Sequence, residues 1–171
     1  MQFFERLGAA AKGPGTVYIA GGSTALLLGI RNQTVDVDLK LDPEPKGVFE
    51  AIANLKDALD INVELASPDQ FIPTLPGWRE RSTLIASEGD VEIRHYDLYS
   101  QALAKIERGY EQDLSDVEAL VTLDLVDPNQ LLKFFEEIKP QLARFPSIDP
   151  DQFANKVGEQ VERLTSLAGT K

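Results

Sequence analysis

Thr34-Val35-Asp36-Val37-Asp38-Leu39-Lys40-Leu41-Asp42 alternates without a fault over nine residues. A period of two is the mark of a strand with one buried face. Val35, Val37, Leu39 and Leu41 then share the buried side, and Asp36, Asp38, Lys40 and Asp42 the other. Two carboxylates two positions apart on a strand project side by side, close enough to ligate one hard cation. Carboxylate oxygen, substrate phosphate and water form the shell that Mg²⁺ prefers. The same pattern also describes a half-exposed strand with a solvated charged face.

Just upstream, Thr16-Val17-Tyr18-Ile19-Ala20 is a β-branched run expected as a buried strand, and it leads into Gly21-Gly22-Ser23. Ser23 is expected to N-cap a helix that Gly29 ends. Glycines between a strand and a helix let a phosphate approach the backbone, and helix-start N–H groups favour an anion. Ser23 would add a hydroxyl. Glycine at such a turn also relieves strain without binding anything. A phosphate cradle followed by a carboxylate pair is the more specific combination, since phosphoryl-type transfer needs both.

Further along, residues 47–59 read as a helix with Val48, Ile52, Leu55 and Leu59 on one side. Residues 61–65 alternate as a third strand, and residues 67–77, with three prolines, form a loop. Residues 83–86 and 91–96 flank Ser87-Glu88-Gly89-Asp90 as a hairpin. Beyond Asp97 the period turns helical, with helices expected at 97–108, 112–122, 128–139 and 150–167. The expectation is an α+β chain: an α/β core over 1–96, and a helical region over 97–171 packed on it.

With 43% apolar and 26% charged residues, the 171-residue chain has an ordinary globular balance. It contains no cysteine, which excludes disulfides, thiolate zinc sites and cysteine nucleophiles. The start lacks a signal-peptide pattern, and no apolar stretch is long enough to span a bilayer, so a cytoplasmic protein with no membrane partner is expected. A net charge of −11 argues against general nucleic-acid binding, which rests on Lys and Arg.

Gly21-Gly22-Ser23 followed by Asp36-Val37-Asp38 resembles the signature of the DNA polymerase β-type nucleotidyltransferase superfamily. More narrowly, residues 21–41 resemble bacterial nucleotidyltransferase-like proteins related to the abortive-infection type IV toxins. Those relatives carry a helix with a lysine and an arginine, then a Lys-Asp-x-x-Asp-type motif. Lys105, Arg108, Asp113 and Asp116 occupy the matching places, with Gln112 where the motif has lysine.

The resemblance implies a minimal nucleotidyltransferase fold, a small mixed sheet flanked by helices, with further helices shaping the acceptor side. It implies a nucleoside triphosphate substrate, Mg²⁺ or Mn²⁺ on Asp36 and Asp38, and phosphates on Gly21, Gly22 and Ser23. It also implies transfer of a nucleoside monophosphate to RNA, protein or a small molecule, with an antitoxin-like protein partner if the chain is a toxin component. A chain that kept the fold and lost the chemistry is the other reading.

A third carboxylate is usual in that superfamily, as ligand and base for the attacking hydroxyl. Glu64 is the candidate on the third strand, and Glu92 the rival. Arg31 and Lys40 are placed to meet the triphosphate, though Arg31 would serve equally as a helix C-terminal cation. Lys105 and Arg108 fall three apart on one helix, with Asp113 and Asp116 three apart on the next. They would bind nucleotide, or form an ion-pair network between the helices. His95, the only histidine, reads as structural. Trp78, with Arg79 and Arg81, would stack on a base or simply pack.

Overall fold

The alternating strand is present, shorter than its pattern. In the computed structural model, which describes residues 2–169, β2 covers Asp36–Leu41 and follows α1 (Gln2–Ala10), β1 (Gly15–Ala20) and α2 (Gly21–Leu27). After it come α3 (Val48–Leu59), β3 (Asn62–Glu64), the helical turn α4 (Trp78–Arg81), β4 (Leu84–Glu88) and β5 (Val91–His95). Thr34 and Val35 precede the strand, and Val35 is 76% exposed rather than buried. Pairing with β1 runs only from Leu41 to Asp38, so Val35 lies beyond β1, and its carbonyl accepts from the Asn62 N–H of the edge strand β3.

The five strands lie in the order β3-β2-β1-β5-β4. β1 is antiparallel to β2 and parallel to β5, β2 is parallel to β3, and β4 is antiparallel to β5. The sheet is therefore mixed, and the fold α+β. β4 extends to Glu88, which pairs with Val91, so the hairpin turn shrinks to Gly89-Asp90.

Alternation sorts the two faces. Val17, Ile19, Leu39, Val63, Val91 and Ile93 cluster with Phe3, Phe4 and Leu7 of α1 and Val48, Ile52 and Leu55 of α3. Leu39 is fully buried, which contributes on the order of 1.5–3 kcal/mol. The opposite side of the strands carries Asp36, Asp38, Lys40, Asn62, Glu64, Glu92 and Arg94, with Tyr18 and Tyr96 in an edge-on contact at 6.1 Å.

The chain divides into two compact units, Met1–Ser67 with Arg79–Tyr96, and Pro68–Trp78 with Asp97–Lys171. The first holds the sheet. In the second, Pro68–Trp78 joins the helices although it lies among the first ninety-six residues. It begins with a 3₁₀ turn at Pro68–Gln70 and buries Ile72, Leu75 and Trp78.

The second unit contains α5 (Leu98–Arg108), α6 (Glu111–Thr122), α7 (Pro128–Ile138), a 3₁₀ segment at Lys139–Arg144 and α8 (Pro150–Ala168). Its helix starts are encoded locally. Asp127 and Asp149 each accept from a backbone N–H three residues on, with proline at the first helical position. Asp97 accepts from Tyr99 N, Ser100 N and the Ser100 hydroxyl, so this buried acid caps α5. Phe135 meets Phe153 edge-on at 4.9 Å between α7 and α8. Among the described residues, no helix is long and apolar enough to cross a membrane.

Candidate active site

The strand-to-helix turn differs from its expected form. α2 begins at Gly21 with Ala20 as N-cap, and no side chain caps it. Ser23 lies inside the helix and is buried, so it is not the cap. Its hydroxyl donates to the Asp36 carbonyl at 2.9 Å, and the Thr34 hydroxyl donates to the same oxygen at 3.1 Å. The Ser23 bond thus pins the start of β2 to α2, which fixes the acidic strand against the glycine turn, whereas the Thr34 bond is local to the entry of β2.

Both glycines are required by what crowds them. Gly21 has φ +62°, and a Cβ there would run into Asp38 Oδ2. A Cβ on Gly22 would lie 2.7 Å from Thr34 Oγ1 and 3.2 Å from Arg31 Nη1. Asp38 and the Arg31 guanidinium therefore both come up against the turn. Arg31 reaches it because Gly29, with φ +74°, reverses the chain after α2, and the N–H groups of Ile30 and Arg31 return to the Ala25 carbonyl.

Across the β2–β3 ladder, Asp36 stands opposite Asn62 and Asp38 opposite Glu64. In-register neighbours point to the same side, so Glu64 lies on the face of the two aspartates. Glu92 does not join them. It sits opposite Thr16 on β1, whereas Asp38 sits opposite Ala20, four residues and roughly 13 Å further along. Glu92 instead pairs with Arg94 at 2.8 Å.

Asn62 is the residue that sequence reasoning missed. Its amide nitrogen donates to Asp36 Oδ1 at 2.9 Å and to Glu64 Oε1 at 3.0 Å. The signal was its place two residues before Glu64, but the partner on β2 depends on register. Lys40 falls in one row with Tyr18 and Arg94, the next row along from Asp38 on the same face.

A family model described as nucleotidyltransferase of unknown function (DUF6036) matches residues 2–163. The chain belongs to this nucleotidyltransferase family. No curated protein and no solved structure matches it.

A divalent cation is implied by such chemistry, and the donor set can be tested against it. Asp36 and Asp38 offer hard carboxylate oxygens on one strand face, with Asp38 close against Gly21. Among the described residues, no group of three or more His, Cys, Asp or Glu side chains is gathered to hold a metal. The residues fit a two-carboxylate site in which substrate phosphate and water complete the shell, the Mg²⁺ arrangement, and not a preformed protein cage.

The four charged residues of α5 and α6 pair with one another. Lys105 Nζ lies 2.7 Å from Asp116 Oδ2 and 3.5 Å from Asp113 Oδ1, and Arg108 grips Asp113 with two nitrogens. Gln112 donates to Asp116 at 3.2 Å, filling the place of the motif lysine. Burial works against the charged Asp113, but the hydrogen bonds and charge of Arg108, with Lys105, outweigh it and hold its pKa below the ordinary 3.8. Of the two readings of these residues, the ion-pair network describes the observed geometry.

His95 is buried, and burial lowers its pKa below 6.5. Thr24 Oγ1 donates to the Ile19 carbonyl at 3.0 Å and lies 3.3 Å from His95 Nδ1. With the hydroxyl proton so used, Nδ1 is assigned as the protonated nitrogen of a neutral ring. Trp78 is buried at the start of a helical turn, and Arg79 pairs with Asp42.

Proposed function

We propose that this chain transfers a nucleoside monophosphate from a nucleoside triphosphate to an acceptor hydroxyl or amine. The observation that carries the reading is the apposition of Asp38 to Gly21, with Asp36 tied to the same turn through Ser23. Backbone at Gly21 and Gly22 and the Arg31 guanidinium receive the phosphates. Asp36 and Asp38 would hold Mg²⁺ or Mn²⁺, which when bound neutralises charge on the phosphates. Lys40 supplies a further cation on the same face.

Glu64 takes the proton of the acceptor as its oxygen or nitrogen bonds to the α-phosphorus. The bond from that phosphorus to the bridging oxygen breaks, and pyrophosphate leaves. Positioning and charge complementarity supply the acceleration.

The test uses the purified chain with each labelled ribonucleoside triphosphate, Mg²⁺ and a total cell extract. Label transfer is expected, and the Asp36→Asn/Asp38→Asn double variant abolishes it while the fold persists. Turnover unchanged in the double variant would overturn the mechanism.

A second reading, nucleotide binding without transfer, draws on the Ser23 hydroxyl, which points to the Asp36 carbonyl instead of a phosphate. Calorimetry with Mg²⁺ and nucleotides separates the two, since binding with no turnover favours the second. A toxin role, acting on a tRNA end or a protein and restrained by an antitoxin-like partner, extends the resemblance of residues 21–41. Slow growth on expression, relieved by the neighbouring gene's product, would support it, and harmless overexpression would count against it.

A further inference from the structure

Asn62 belongs to neither the glycine turn nor the carboxylate pair, yet its one amide nitrogen reaches both Asp36 Oδ1, at 2.9 Å, and Glu64 Oε1, at 3.0 Å. We propose that Asn62 is a positioning residue that aligns the Asp36 metal ligand and the Glu64 base, an inference that rests on the nucleotidyl-transfer reading above.

The argument begins with register. β3 is a strand of three residues at the sheet edge, paired only with β2. Asp36 faces Asn62 and Asp38 faces Glu64, so three acids and one amide occupy a two-by-two block on one face. Three carboxylates in such a block repel one another, and exposed acidic side chains would splay into solvent. Asn62 is the neutral member. Its NH₂ group has two hydrogens, and each carboxylate accepts one. Hydrogen bonds to ionised acceptors are roughly twice as strong as neutral ones, so the amide holds both side chains in single orientations.

The amide engages one oxygen of each carboxylate and leaves the second oxygen of each for chemistry. For Asp36 that is the oxygen a cation would use. For Glu64 it is the oxygen that would take the acceptor proton. Outer hydrogen bonds of this kind orient metal-ligating carboxylates, and their loss typically costs about 10–100-fold in metal affinity or activity. An aspartate at 62 would have put a fourth negative charge in the block with no donor to join the others.

Asn62 is half-buried on the edge strand, and its backbone N–H bond to the Val35 carbonyl does not involve the amide, so the strand pairing does not depend on the side chain. The experiment measures Mn²⁺ binding by electron paramagnetic resonance for the whole chain and for Asn62→Ala and Asn62→Leu. Thermal unfolding of each is followed in parallel. Both variants should keep the wild-type melting temperature within a degree or two and lose about 10–100-fold in Mn²⁺ affinity. Transfer should fall mainly in kcat, with the KM for the triphosphate little changed. Mn²⁺ binding by the wild type that both variants match overturns the inference alone. No Mn²⁺ binding by the wild type, either alone or with a non-hydrolysable nucleoside triphosphate, sinks the transfer reading, and this inference with it.

Discussion

The Asp38 carboxylate rests against the α-carbon of Gly21, in the space a side chain at that position would fill. Gly21 also has φ +62°, where an L-residue costs roughly 1–2 kcal/mol. Gly21→Ala is therefore expected to lose about that much stability in urea unfolding. It should also displace Asp38 and cut nucleotide transfer by on the order of 10²-fold, because small misplacements of a reacting constellation are that costly. Wild-type turnover in this variant would show that the apposition is not used.

Register separates the two candidate bases. Glu64 is opposite Asp38, whereas Glu92 is opposite Thr16 and paired with Arg94. Glu64→Gln should reduce kcat by about 10²–10⁴, the usual worth of a general base. Glu92→Gln should leave kcat within a factor of two or so of wild type. Steady-state kinetics on the two variants decides the assignment, and the reverse ranking would refute it.

Lys105 holds the buried Asp116 at 2.7 Å. Lys105→Met leaves that carboxylate buried without its cation, a change that typically costs about 3–5 kcal/mol. The double variant Lys105→Met/Asp116→Leu should recover most of the loss in denaturant unfolding, since it removes both charges. Nucleotide affinity per folded molecule should not change in the double variant. A large loss of affinity there would return these residues to the binding site.

Burial holds the His95 pKa below 6.5. The unfolded chain takes up its proton near 6.5, while the folded chain resists until lower pH. Between those two values the unfolded state binds more protons, so stability rises with pH there and falls as pH drops through that window. The slope is at most about 1.4 kcal/mol per pH unit for one group. Stability measured from pH 7.5 down to 5 should decline in the wild type and decline less in His95→Asn. Parallel curves would mean that His95 charges freely in the fold.

Much of this molecule was written in short-range pattern. The period of two over residues 34–42 placed Asp36 and Asp38 on one face, and the Gly21-Gly22 turn was legible from its neighbours. So were the helix starts at Asp97, Asp127 and Asp149, because each cap carboxylate and the N–H that donates to it lie within three residues. The helical spacing of Lys105, Arg108, Asp113 and Asp116 foreshadowed their mutual pairing.

Tertiary structure alone decided the rest. Whether Glu64 or Glu92 joins the aspartates depends on strand order and register, which local alternation leaves open: both lie on strands, and both face the same side. Asn62 became visible only when β3 was laid beside Asp36. Ser23 has the chemistry of a cap, but the helix starts three residues earlier with Ala20 as its N-cap, which turns the Ser23 hydroxyl onto the Asp36 carbonyl. Local sequence sets which way a side chain points along its own element, but its neighbours across a sheet are fixed by contacts far apart in the chain.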